Sequence, residues 1–335
     1  MASPSPRKLA YLTFDVFTTT RFKGNPLAVV KVPASVTLTQ DEKQTIAREF
    51  NYSETIILHD NDQELASVRD TADVKLPEWK IGIFLTTAEI PFAGHPTIGT
   101  TCYLGAQIQA ARSQLESSKG PIHGKVIAKA GPIPFTYDPK SRTSSVEVPQ
   151  NFHLHDKVLT VNEALSYGLP PGIAQNMVHP PPFVSLVKGM TFILVELPSL
   201  EILGEVRAGL RDVNVDGQLD TEWHPDGTFT AFAFFVRLGK SSDGSTKLRT
   251  RVVFGSTEDP ATGAASCALV AYLSLFYPEK ENVSERRRFE ITQGVEMGRE
   301  SHILLDVTLD GSRTSVERLM LEGSAVQVME GCITL

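Results

Sequence analysis

The sequence predicts an α+β protein of two pseudo-symmetric domains, each a β-barrel-like sheet wrapped around a central helix. Three observations point there: an internal repeat at a nearly constant offset, a pattern of short strands with one apolar helix in each half, and a length of 335 residues, beyond the usual size of one core. The repeat is clearest at two strand–helix junctions. Residues 95–101 read His-Pro-Thr-Ile-Gly-Thr-Thr and residues 259–265 read Asp-Pro-Ala-Thr-Gly-Ala-Ala. Pro96 matches Pro260 and Gly99 matches Gly263, both at an offset of 164 (260 − 96 and 263 − 99). Val32-Pro33 matches Leu197-Pro198 at 165, Arg48–Asn51 matches Arg211–Asn214 at 163, and Ala130-Gly131 matches Gln293-Gly294 at 163. Four islands in one order at nearly one spacing read as two copies of one unit. The first unit is assigned to residues 1–144 and the second to 145–324, with the tail 325–335 expected to return to the first.

Each element follows from local pattern. Leu9 to Val16 alternates and is rich in β-formers, and Leu27 to Val32 is a second strand after a loop turning at Gly24. Thr39 to Phe50 is a helix, with Thr39 as cap, Asp41 and Glu42 in its first turn, and Ile46 and Phe50 at helical spacing. Asn51-Tyr52-Ser53-Glu54-Thr55 then opens the apolar strand Ile56-Ile57-Leu58. Val74 to Thr86 gives two strands around Pro77, and Thr97 to Ala111 a helix with small residues at its start. Lys125–Lys129 and Ile133–Tyr137 make a hairpin, and Thr143-Ser144-Ser145 reads as the break between units. The second half repeats this order. It has a helix over 157–168 without a counterpart, a strand over Phe192–Leu197 and a helix over Leu200–Val213. Strands at Phe229–Leu238 and Leu248–Phe254 precede a helix over 262–276, then strands at 288–293 and 301–309.

Composition narrows the partners. Hydrophobic content of 41% with 21% charged residues is ordinary for a globular chain. A net charge of −7 argues against a nucleic-acid partner, and the run Arg286-Arg287-Arg288 has Glu279, Glu281 and Glu285 beside it. No apolar run is long enough to span a membrane, and the N-terminus lacks the apolar core of a signal peptide. Three cysteines fit a reducing compartment, so a cytoplasmic protein is expected. No glycine-rich dinucleotide loop follows a strand, and no His/Cys cluster has metal-ligand spacing, so no cofactor and no metal is expected.

The chemistry concentrates at the two junctions. Helices beginning in small residues expose backbone N–H groups to an anion, and two such starts aimed at one cleft would hold a carboxylate. Gly94, Gly263 and Ala264 would supply the N–H groups, with His95 and Asp259 as the titrating side chains. Glu54 falls on Gly217 at the repeat offset (217 − 54 = 163), so this carboxylate is not part of the repeated scaffold. Each residue also has a plain structural reading: Glu54 as a surface or capping residue, His95 as a satisfied histidine, Asp259 as an N-cap.

The chain resembles the PhzF family, the phenazine-biosynthesis-like isomerases of the diaminopimelate epimerase-like fold. The resemblance rests on Phe14-Asp15-Val16-Phe17 with Gly24-Asn25-Pro26-Leu27-Ala28-Val29, on Asn51–Thr55, on Pro91–Thr97, on Glu258–Gly263 and on Gln293–Arg299. It implies a barrel around one helix in each domain, a cleft between the domains, and a homodimer. It also implies that Glu54 transfers the proton while His95 and Asp259 line the same pocket. The family often has Gly-Ser where this chain has Gly263-Ala264, so a hydroxyl is lost and the backbone N–H stays. Racemases of this fold use two cysteines at the helix mouths, whereas Cys102 and Cys267 lie inside the helices and read as small hydrophobes. The leading expectation is a cofactor-independent isomerase moving a proton within a small carboxylate-bearing metabolite. The alternative is a non-enzymatic ligand-binding or protein-interaction protein that keeps the fold.

Overall fold

The computed structural model describes residues 7–60, 76–114, 120–213, 215, 218–220, 222–223, 228–277 and 285–335. The chain divides into two compact units, one running to Glu147 and including Glu322–Leu335, the other formed by Val148–Leu321.

In the first unit the order is β1 (Lys8–Val16), β2 (Asn25–Pro33), α1 (Gln40–Phe50), β3 (Thr55–Asp60), β4 (Glu78–Phe84), β5 (Glu89–Ile90), α2 (Gly94–Gln114), β6 (Ile122–Ala128), β7 (Gly131–Asp138) and β8 (Thr143–Glu147). The neighbours run β1–β2 antiparallel, β2–β3 parallel, β3–β4 antiparallel, β4–β6 parallel, then β6–β7 and β7–β8 antiparallel. The long last strand β17 (Val316–Thr334) pairs with both β8 and β1, from Lys8↔Thr334 to Val16↔Ala325. Eight strands therefore close on themselves, and closure leaves no edge strand in the ring.

Helix α2 fills this barrel, packing against β1, β2, β3, β6, β7 and β8. Ile98, Leu104 and Ile108 are fully buried, but so are Thr97, Thr100 and Thr101. Their hydroxyls donate to the carbonyls one turn back, Ala93, Pro96 and Thr97, at 2.8, 2.8 and 2.9 Å, which lets polar side chains enter the core without an orphaned group. Small residues bring the helix close to the wall: a Cβ at Gly105 would lie 2.3 Å from Tyr137 and one at Gly99 2.5 Å from Leu27. The helix starts at Gly94, earlier than expected, because Pro96 falls in the first turn, where a missing N–H costs nothing.

The second unit runs β9 (His153–Val158), α3 (Val161–Ser166), α4 (Pro171–Ala174), β10 (Pro182–Val187), β11 (Met190–Glu196), α5 (Leu200–Gly204), β12 (Phe229–Lys240), β13 (Thr246–Phe254), β14 (Thr257–Asp259), α6 (Gly263–Phe276), β15 (Arg286–Gln293) and β16 (Ser301–Leu309). Its pairings repeat those of the first: β10–β11 antiparallel, β11–β12 parallel, β12–β13 antiparallel, β13–β15 parallel, β15–β16 antiparallel. Even the short β5 has its counterpart, β14, paired antiparallel with the preceding strand. Helices α2 and α6 thus hold the same place in the topology of their units. Helix α6 is buried on all sides, from Gly263 through Ala265–Ala271 to Ser274, as a helix inside a sheet must be.

Several elements differ from the sequence reading. The helix expected over Leu200–Val213 stops at Gly204. Arg251 Nη1 takes the Leu203 carbonyl at 3.0 Å and approaches the Gly204 carbonyl at 3.4 Å, acceptors that a longer helix would use itself. Gly209 then adopts φ 97°, and the Arg211 N–H bonds to the Tyr167 carbonyl. Thr143–Ser145 is not a break but the start of β8, and the Ser144 hydroxyl bonds Thr101 of α2 at 2.7 Å. Of the two strands around Pro77 only β4 is seen, since 74 and 75 lie outside the described residues, as do Asn214, Gly217, Glu279 and Glu281. The two tail segments are one strand, β17. Among the described residues no helix is long and apolar enough to cross a membrane.

Candidate active site

In the first unit the site begins with a helix terminus. Thr39 and Glu42 form a capping box that fixes the start of α1. Asn51 ends the helix at φ 52°, a left-handed conformation that asparagine tolerates, and its N–H returns to the Ala47 carbonyl. That reversal carries the chain through Ser53 to Glu54, one residue before β3. Glu54 Oε2 lies 3.7 Å from His95 Nδ1, and the two side chains are 16% and 5% exposed. His95 is the second residue of α2. The amide of Asn25, the first residue of β2, points its nitrogen at His95 Nδ1 at 3.4 Å. Asn25 and Glu54 therefore both face the same ring nitrogen of His95. Burial raises the Glu54 pKa from 4.5 to about 7, against a small lowering by the Ser53 hydroxyl. Near neutrality this carboxyl is present both with and without its proton, as a group that takes and returns a proton requires.

The second unit builds its part around the start of α6. Buried Arg251 grips Glu258 with two bonds of 2.7 Å, which fixes β14 next to Asp259. The Asp259 carbonyl accepts from Gln293 Nε2 at 2.8 Å, and Gln293 Oε1 accepts the Thr262 N–H at 3.2 Å. Gln293 is fully buried, so one amide ties the end of β14 to the helix start. Asp259 is not the N-cap; Thr262 holds that position, and its hydroxyl bonds Asp259 Oδ2 at 2.6 Å. The first turn, Gly263–Ala264–Ala265, therefore receives no side-chain cap. The helix starts Gly94 and Gly263 are 169 apart (263 − 94), not the 164 that aligned Pro96 with Pro260, which precedes α6 by three residues.

The structure thus sets Glu54 and His95 face to face in one unit, and gathers Asp259, Gly263 and Ala264 in the other. Sequence reading quoted Asn25 and Gln293 inside motifs but gave them no role. Cys102 and Cys267 are buried inside α2 and α6, and burial pushes the Cys102 thiol up to about 12 and that of Cys267 higher still, so neither is a nucleophile near neutrality. Among the described residues His153, His155 and Asp220 gather with ligand atoms within 4.8 Å of one another. Sequence spacing hides this group because Asp220 is 65 residues beyond His155.

A closed eight-stranded barrel over a central helix, a second unit of matching topology, and a desolvated glutamate beside a buried histidine define an α+β protein with a paired acid and base. The chain belongs to the phenazine biosynthesis-like PhzC–PhzF family, whose model matches residues 14–331. It is 31% identical over 96% of its length to an uncharacterized isomerase of Mesorhizobium japonicum, covering 97% of that protein. It is 28% identical over 97% of its length to the trans-2,3-dihydro-3-hydroxyanthranilate isomerase of Pseudomonas chlororaphis, covering 99% of it. The fold is similar to the crystal structure of a Bacillus anthracis phenazine biosynthesis protein of the PhzF family, with TM-score 0.70, 20% identity, and coverage of 98% of this chain and 100% of that one.

Proposed function

We propose that this protein is an isomerase of the PhzF type that shifts a proton within a small carboxylate-bearing metabolite. Glu54 takes a proton from one carbon and returns it at another; His95 holds the reacting group beside it. Asp259 and the N–H groups of Gly263 and Ala264, at a helix start that no side chain caps, form a carboxylate-binding group of the second unit, as Gly94 does at the helix start of the first. The observation that carries this reading is the Glu54–His95 approach of 3.7 Å with the Glu54 pKa at about 7. The name of the Pseudomonas relative makes dihydro-hydroxyanthranilate the first substrate to try, and small cyclic acids the class to screen. The proton transfer needs neither nucleotide nor metal in this reading, and the protein acts as a homodimer in the cytoplasm.

The test is isomerisation followed by nuclear magnetic resonance in heavy water, with the parent and with Glu54→Gln. Conversion by the parent, with label entering only at the accepting carbon, and loss of conversion in the variant support the reading. Retention of an acid without turnover by the parent would favour a non-enzymatic binding protein instead.

A further inference from the structure

We propose that His153, His155 and Asp220 form a binding site for a divalent transition metal of the zinc class. His153 and His155 alternate along β9, so both rings leave the same face of the strand. His153 Nε2 lies 2.5 Å and His155 Nδ1 3.8 Å from Asp220 Oδ2. A tetrahedral ion about 2.0–2.1 Å from its ligands holds them roughly 3.3–3.4 Å apart, and the three ligand atoms, all within 4.8 Å of one another, reach that spacing by side-chain adjustment.

The surroundings fix each ring as a ligand. His155 Nε2 lies 2.9 Å from the Ser185 hydroxyl, itself 2.8 Å from Thr191. The Asp220 N–H points at His155 Nδ1 at 3.5 Å, so Nδ1 accepts and Nε2 carries the proton. Asp220 Oδ2 also lies 3.8 Å from this nitrogen, and a cation between them would take the Nδ1 lone pair in place of the long N–H contact. Trp223 stacks on His153 at 4.4 Å and 6°, holding that ring in place, while Lys188 lies over the Trp223 ring at 5.7 Å and pairs with Glu222. A metal-binding histidine is oriented by a hydrogen bond from its other ring nitrogen, and here the Ser185 hydroxyl stands in that place for His155. Two imidazoles and one carboxylate suit zinc, nickel or cobalt rather than calcium or magnesium, and leave a fourth position for water. Asp220 and His153 are 44% and 30% exposed, which gives an ion a way in.

The experiment uses the full chain, stripped with chelator and titrated with Zn²⁺ by calorimetry and with Co²⁺ by visible absorption and tryptophan emission. We expect one Zn²⁺ per chain, tetrahedral-type Co²⁺ bands, and Co²⁺ quenching of Trp223. His153→Gln and Asp220→Asn change partly exposed side chains, so the fold survives; each lowers Zn²⁺ affinity by roughly 10–100-fold or more. Trp223→Phe removes the quenching while Trp79 stays bright. The absence of stoichiometric Zn²⁺ binding overturns the proposal. So does binding unchanged in both ligand variants, which would leave His153–Asp220 a simple ion pair, or quenching that persists in Trp223→Phe.

Discussion

Thr262 stands at the N-cap of α6 and gives its hydroxyl not to its own helix but to Asp259, at 2.6 Å. The helix start is thereby left open while the aspartate is held. Thr262→Val removes this charge-assisted bond, which is worth about 1.5–3 kcal/mol. We expect turnover to fall and KM to rise, with Thr262→Ser recovering most of both. Steady-state kinetics of the two variants check this.

Glu54→Gln keeps shape and removes the titrating group. Turnover should fall roughly 10²–10⁴-fold with ligand affinity nearly unchanged, and the pH dependence centred at about 7 in the parent should vanish. A variant within a few-fold of the parent would hand the proton transfer to another group, Asp259 being the first to examine.

The same group sets a pH dependence of stability. Glu54 ionises near 4.5 when unfolded and near 7 when folded. The stability tied to its proton is complete below 4.5, is lost as pH rises to about 7, and stays level above. Glu54→Gln never ionises, so its stability relative to the parent should grow across that window. Urea midpoints at pH 4, 6 and 8 read the difference, and a constant difference would contradict the assigned shift.

Thr39 presents the contrasting cap. Its hydroxyl accepts the Glu42 N–H at 3.2 Å while Glu42 returns to the Thr39 N–H at 2.8 Å. Thr39→Ala should cost about 0.5–2 kcal/mol, seen as faster amide exchange along α1.

Gly105→Ala tests the packing of α2. The new Cβ would meet Tyr137 at 2.3 Å, inside any real contact, and the loss should be about 1–3 kcal/mol or more. Thermal melting is the measurement.

Much of this was legible in the sequence because it is written in local pattern. Alternation gave β1, Thr39 and Glu42 gave the start of α1, and the repeat gave two equivalent helices in equivalent topology. What escaped was set by partners distant in the chain. Leu200–Val213 stands where the repeat calls for a helix, yet Arg251 from β13 ends α5 at Gly204. The alignment of Pro96 with Pro260 was right about kinship and wrong about position, because one proline lies within a first turn and the other before it. Asn25 meets His95 across 70 residues, and His155 meets Asp220 across 65, separations that no motif spacing encodes.

The strand β17 carries a consequence for biosynthesis. Its last ten residues, from Ala325 to Thr334, are the stave that closes the first barrel against β1. A ribosome has therefore translated the whole second unit before the first can be sealed. During that interval β1 presents an open edge to any passing chain, and the nascent first unit is the stage at which chaperone engagement or edge-to-edge misassembly would act. Trimming the C-terminus should accordingly injure the N-terminal barrel, which was made first and is finished last.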